Sequence, residues 1–358
     1  MIGKHPAFTA YLSDPLNGGV PLVELGAHPL TPNDRFFVRS HGDIPMLSPS
    51  AYRLRVDGRV RVHLELSLPA LAALPQHELT AVLQCAGNRR VELLALGDIP
   101  DEILWDTEGV SSAHWSGVRL SDVLALAGID LPRFETGHIA FEGLDTIQKD
   151  DQTFPYGGSI PLDKAGDVLL ATHMNGDPLP PEHGFPLRAL VPGWIGARSV
   201  KWLGRISVQD TPSDNYYQTR AYRHFAPYDR KETADWSAAP MLGELPVNSL
   251  ITAPAANASL PAGEITVQGL AWGGHPVERV DLSTDGGATW GSTQLAPADG
   301  RWNWRRWSAR LHLPAGDYEL TARAWDSAAN TQPDQLAVVW NWKGYMNNAC
   351  HRVRIQVG

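Results

Sequence analysis

A chain of 358 residues exceeds what one hydrophobic core usually organises, and its 43% hydrophobic content is ordinary for a globular protein, so two folded domains are expected rather than disorder. The net charge of −9 at pH 7 lacks the broad basic surface a nucleic acid requires to release its counterions, and no segment supplies the roughly 18 continuous apolar residues of a membrane-spanning helix. Cys85 and Cys350, the two cysteines, lie far apart with no CxxC or Cys/His spacing, which excludes a disulfide framework and a structural zinc finger.

The 28 prolines and 33 glycines point to many turns and short strands, and 13 tryptophans supply large stiff groups for sheet cores, so a β-rich class with some helix is expected. The first stretch, MIGKHPAFTAYLSDPLNGG, carries neither an apolar signal core nor a twin arginine, and it predicts a cytoplasmic protein, or a periplasmic one if an export signal has been removed. Residues 1 to about 50 read as an extended arm over the main domain. YRLRVDGRVRVHLEL, from Tyr52 to Leu66, alternates apolar and polar residues around Asp57-Gly58 and predicts a hairpin. LPALAAL, residues 68–74, predicts a short helix with Pro69 in its first turn, and HELTAVLQC a strand running into the loop AGNRR. Ser121 is placed as the cap of a helix through Leu126 that Gly128 ends, and Gly166 to Met174 reads as a buried strand. From about 210 to 245 the polar and aromatic stretch predicts a structured linker, with the domain boundary near Leu245. Beyond it ITVQGLAW, VERVDLSTDGGATW, RWNWRRWSARL, YELTARAWDS and QLAVVWNW read as strands of a β-sandwich, which holds eight of the tryptophans.

The chemistry concentrates at Cys85. A cysteine at a strand end, followed by Gly87, Asn88, Arg89 and Arg90, stands where positive charge favours a soft thiolate, the form of sulfur that binds metals. The plain alternative is a small buried cysteine beside two surface arginines.

The segment LQCAGNRR resembles the loop that presents the single protein thiolate to molybdenum in sulfite oxidases and assimilatory nitrate reductases. Further blocks are similar in the same order: FFVRSHGDIP at 36–45, FEGLD at 141–145, YGGSIP at 156–161, MNGDPLPPEHGFPLRALVPGWIGARSVKWLGRISV at 174–208 and WNWKGYMNNACHRVRI at 340–355. Together they span nearly the whole chain, which is identified as a member of the sulfite oxidase family of molybdopterin-dependent oxidoreductases. The resemblance implies an α+β protein: a mixed α/β molybdopterin-binding domain over residues 1–245, then an all-β immunoglobulin-like domain over 246–358 that makes a homodimer. It implies one molybdenum–molybdopterin per chain, no haem and no flavin, with Cys85 as the metal's protein ligand. His41, Asp145, His183, Arg188 and Lys201 are expected to hold the pterin and its phosphate, cations suiting phosphate and a carboxylate suiting pterin N–H groups. Arg39, Arg90 and Arg352, with Trp105, are expected around a small dianion, and Arg352 then requires the C-terminal domain to pack against the metal site. The implied reaction moves an oxygen atom to sulfite, giving sulfate, with electrons passed to an external acceptor, either oxygen or a cytochrome c-like protein.

Departures from the family pattern also carry expectations. Where relatives read AYEMNG this chain reads ATHMNG, so Thr172, followed by His173, is expected to replace a tyrosine beside the metal. Ser40 in RSH and Cys350 in NACHRV stand where asparagine and tryptophan are common, Cys350 as a packing residue. The RWNWRRW tryptophans fit either a dimer interface or the sandwich core. Nitrate reduction and another oxygen-atom transfer, such as sulfoxide reduction, are the rival activities; a binding protein built on the tryptophan-rich domain is the rival of another class.

Overall fold

The computed structural model describes residues 3–129 and 136–358. Its helices are short, the longest α-helix being Leu120–Leu126, and sheets carry the architecture. The N-terminal arm is more ordered than its composition predicts. Strands Thr9–Ser13 and Leu16–Gly19 form a hairpin, and Val38–Arg39 adds a third strand in the register Asn17↔Arg39. Gly18 permits this approach, because a Cβ there would lie 2.2 Å from the Thr9 carbonyl oxygen.

Two five-membered sheets build the N-terminal body. In the first, Leu203–Gln209 pairs parallel with Leu54–Gly58 and antiparallel with His138–Gly143, with Gly157–Pro161 and Leu64–Leu66 at the edges. Leu54–Gly58 and Leu64–Leu66 form the predicted hairpin, with Gly58 at φ +82°. In the second, Gln76–Gln84, Val110–Arg119 and Leu169–Met174 run antiparallel, and Arg188–Leu190 and Asp177–Pro178 flank the last. Leu54, Val56, Phe141, Leu203 and Ile206 from one sheet meet Val118, Leu170 and Ala189 from the other, and Leu120, Val123 and Leu124 close the core at i, i+3, i+4 spacing. The helix Leu68–Ala72 forms as predicted, capped by Ser67. Ser121 does not cap its helix: the chain passes straight from strand to helix at Arg119, and Leu120 N–H donates to the Val168 carbonyl instead. The run from Gly166 begins in a 3₁₀ turn, Leu162–Asp167, and the strand starts only at Leu169.

From Asn248 onward two sheets pack face to face. One orders Asn248–Ala253, Gly263–Trp272, Arg305–Leu313 and Gln294–Leu295; the other orders Ala258–Leu260, His351–Val357, Gly316–Asp326, Val277–Ser283 and Gly291–Ser292. Val267, Trp307, Leu320, Ala322, Val353 and Ile355 fill the space between them. QLAVVWNW is not a strand. It makes a 3₁₀ turn, Leu336–Val338, and then a loop in which Trp342 packs on Phe225 and Trp236 while the Asn341 side chain donates to the carbonyls of Val339 and Tyr345.

The tryptophans of RWNWRRW join the two halves of the chain rather than only filling the sandwich. Trp302 carbonyl accepts from Val82 N–H at 2.9 Å, and Trp304 Nε1 donates to the Pro29 carbonyl at 2.8 Å. Trp272 Nε1 reaches the side-chain oxygen of Gln84, the residue before Cys85, at 2.6 Å. The strand end that carries Cys85 is thus gripped from the C-terminal side.

His351 lies in the same seam, its Nδ1 accepting from Ile251 N–H at 3.1 Å. Burial, then the charge of Arg89, lowers its pKa to about 4. The folded-state value lies below the unfolded one of about 6.5, so between these pH values only the unfolded chain takes up the proton and stability falls as pH drops. Chemical denaturation from pH 7 to 4 should show a loss of about 3 kcal/mol from this group, and His351→Gln should remove that part of the slope.

Candidate active site

Strand Gln76–Gln84 ends at Cys85, which is buried and lines a cavity. The loop then turns sharply: Arg89 takes φ 64°, a left-handed conformation that costs a side-chain-bearing residue free energy, and the four-residue helix Arg90–Leu93 follows. Both arginines are buried, which overturns the reading of them as surface charges. Arg89 forms a two-toothed bond with Glu92 at 2.8 Å per arm and donates from Nη1 to Asn248 Oδ1 and the Ala349 carbonyl. Arg90 donates from Nε to the Lys343 carbonyl at 3.0 Å and from Nη1 to the Ile103 carbonyl, with its plane over the Tyr345 ring. Gly87 is required there, since a Cβ would stand 2.4 Å from the Arg90 guanidinium.

In the same cavity the strand and loop segments 181–201 bring three basic groups together. Lys201 Nζ donates to Ser40 Oγ at 2.7 Å and to the Glu182 carbonyl at 2.9 Å, and Arg188 donates to the carbonyls of His183 and Ser199. Burial, and then the neighbouring positive charges, hold Lys201 and His183 well below their ordinary pKa values, while burial alone takes Arg188 down to about 9. Asp145, raised by burial, accepts from Tyr156 N–H and is the carboxylate that partly offsets Lys201. A second lysine, one with no motif of its own in the sequence, arrives from the arm: Lys4, its side chain 1% exposed, donates to His183 Nε2 at 2.9 Å and pairs with Glu182 at 3.0 Å.

Arg39, His41 and Tyr222, which also line the cavity, form a directed chain of hydrogen bonds. Arg39 has donors only, so its 3.1 Å contact fixes His41 Nδ1 as the acceptor. Burial, then Arg39 and Lys201, hold the His41 pKa well below its usual value, so the ring is neutral and its single proton sits on Nε2. That nitrogen donates to the Tyr222 phenol oxygen at 2.9 Å, leaving the phenol proton to a group in the cavity. Burial pushes the Tyr222 pKa up to about 12 and keeps that proton in place.

Of the residues singled out from sequence, Arg39, His41, Cys85, Asp145, His183, Arg188 and Lys201 line this one cavity. Arg90 and Trp105 stand behind its wall, Trp105 fully buried and edge-on to Tyr11 and to the cavity-lining Phe37. Arg352 does not join them. Its guanidinium points to the outside of the sandwich, where Asp334 and Glu319 hold it. Lys343, nine positions earlier in the same block, lies beside Arg90 and binds Glu102, behind the residues that line the cavity. Thr172 is also not beside the cavity: its hydroxyl bonds to His173 Nδ1, and Tyr222 supplies the phenol there. Tyr222 was legible only as part of an aromatic linker. Cys350 packs in the sandwich near the Gln332 carbonyl.

Among the described residues no group of His, Cys, Asp and Glu could by itself hold a metal ion. A soft metal at Cys85 must therefore bring its other ligands with it, and an organic chelate with an anionic tail fits the buried, undercompensated cations opposite. Residues 41–217 match the family model for an oxidoreductase molybdopterin binding domain, and residues 239–358 that for a Mo-co oxidoreductase dimerisation domain. The chain is 45% identical over 370 residues to mitochondrial sulfite oxidase of Homo sapiens, covering 99% of this chain and 66% of that protein. It is 34% identical over 377 residues to sulfite oxidase of Arabidopsis thaliana, with 99% and 95% covered. The sulfane dehydrogenase SoxCD of Paracoccus pantotrophus superposes with a TM-score of 0.82 at 28% identity, over 95% of this chain and 84% of that one. No helix among the described residues is long and apolar enough to cross a membrane.

Buried cations that are only partly compensated cost stability when nothing binds them. Lys201→Met should therefore raise the stability of the cofactor-free protein by about 1–3 kcal/mol, seen as a higher denaturation midpoint, while lowering the amount of cofactor that co-purifies.

Proposed function

Because this chain belongs to the sulfite oxidase family of molybdopterin oxidoreductases, we propose that it holds one molybdenum–molybdopterin and oxidises sulfite to sulfate, with electrons leaving to an external acceptor. The observation that carries this reading is one cavity lined by the Cys85 thiol, by the Lys201–Arg188–His183 cluster, and by Arg39, His41 and Tyr222. When bound, the cofactor supplies oxygen-atom transfer and storage for two electrons.

The chain's own groups do the rest. Cys85 anchors the metal through a soft thiolate, and the loop bonds of Arg89 fix where that sulfur points. Lys201 and Arg188 bind the phosphate of the pterin, and Asp145 accepts from its ring N–H groups. Arg39, with Arg90 and Lys343 behind it, raises the local concentration of a dianion near Cys85, and the Tyr222 phenol donates to one of its oxygens, directed by the His41 tautomer. The same cations would accept nitrate, and nitrate reduction is the alternative; the sulfite oxidase relatives favour sulfite. We place the domain boundary near Leu245, read the C-terminal sandwich as immunoglobulin-like, and assign to it a symmetric homodimer, which its family model supports.

Protein made in a host that synthesises molybdopterin should reduce ferricyanide on addition of sulfite, and wild-type protein with cofactor but no such turnover would count against sulfite. In that assay Cys85→Ser should lower turnover by more than roughly 100-fold, the upper range for loss of a group that only supports a ligand, with an unchanged circular dichroism spectrum.

A further inference from the structure

We propose that Glu102 sets the charge of the anion site, one carboxylate attenuating two of its cations so that the site matches a dianion and releases its product. The inference rests on the reading of the cavity as a sulfite site. Glu102 is reached by both Arg90, whose Nη2 lies 3.4 Å from its Oε2, and the Lys343 ammonium, which binds its Oε1. All three side chains are largely buried, at 2%, 15% and 14% exposure for Arg90, Lys343 and Glu102, so solvent screens their charges weakly. The group adjoins the cavity: Tyr345, under Arg90, packs on Tyr222 at 5.6 Å between ring centres, and Met346 N–H donates to the carbonyl of Ala86, a wall residue. The field of Glu102 is felt at Arg39 and Tyr222. Arg39, Arg90 and Lys343 with Glu102 leave two net positive charges, the complement of sulfite or sulfate; without Glu102 there would be three.

Glu102 is not needed to hold Arg90 in place. Backbone carbonyls of Lys343 and Ile103 take its Nε and Nη1, and its side chain packs closely on Gly87 and Gly344, where a Cβ at either would lie within 2.6 Å of it. The Lys343 backbone is fixed separately by the Asn341 turn, through Gly344 N–H to the Asn341 carbonyl and Tyr345 N–H to Asn341 Oδ1. Removing the carboxylate's charge therefore changes the potential with the cations still present.

Glu102→Gln keeps the shape and an oxygen acceptor for Lys343. In the holoenzyme it should tighten sulfate binding, measured by calorimetry, and lower the sulfite KM, each by about three- to tenfold, with kcat falling as sulfate leaves more slowly. Lys343→Met should move both constants the other way, and the double variant, which restores two positive charges, should return them toward wild type. A Glu102 that merely clamps its neighbours would weaken sulfate binding and raise KM in Glu102→Gln, and the double variant would be no better; that result, or no change, overturns the proposal. Failure of the underlying reading is seen separately, as wild-type holoenzyme that does not turn over sulfite.

Discussion

The site depends on one interaction, the fork of buried Arg89 on half-buried Glu92. Arg89 sits in a left-handed conformation that an isolated chain would avoid, and it is held there by Glu92, by Asn248 and by the Ala349 carbonyl, while Asn347 donates to the Arg89 carbonyl and to Glu92. Three of those partners come from the C-terminal half. A buried ion pair is a weak source of net stability because desolvation offsets much of the attraction, but breaking one partner is costly. Its value is geometric: the loop that carries Cys85 is tied to the sandwich through Asn248, Asn347 and Ala349. The tryptophans reinforce this, since Trp272 holds Gln84 and Trp302 continues the pairing of the Cys85 strand.

The cavity itself is an electrostatic compromise. Lys201, Arg188 and His183 are buried together with little compensation, and their lowered pKa values express the cost. Such a cluster makes sense only if a polyanion repays it. At the Cys85 end the balance is different, since Arg90 and Lys343 share a carboxylate and Arg39 faces Tyr222 and the thiol. On the proposed reading, the Lys201 cluster would hold the cofactor's phosphate, and the more balanced charges near Cys85 would let substrate and product exchange.

Much of this was legible in the sequence where local pattern and side-chain chemistry agree. The hairpin at Asp57-Gly58, the helix behind Ser67 and the strand into Cys85 follow from alternation and turn chemistry, and seven residues of the similar blocks do meet at one cavity. What failed depended on tertiary contacts. Arg352 lies in a matching block, but alternation along its strand turns it away from the seam that His351 faces, and the loop before it delivers Lys343 instead. Tyr222 lies in a stretch without periodicity, and only its packing on His41 reveals it. Lys4 reaches His183 across 179 positions, a contact no local signal carries. QLAVVWNW alternates like a strand, yet its tryptophans pack against the 225–239 segment and leave no ladder to join.

The central claim is that Cys85 ligates a molybdenum carried by a dithiolene. X-ray absorption at the molybdenum edge tests it most directly, with elemental analysis for the metal content. Wild-type protein should hold one metal per chain with three sulfur neighbours, and Cys85→Ser should retain metal with one sulfur fewer. A wild-type protein without molybdenum, cofactor supply being assured, or an unchanged sulfur count in the variant would contradict the account.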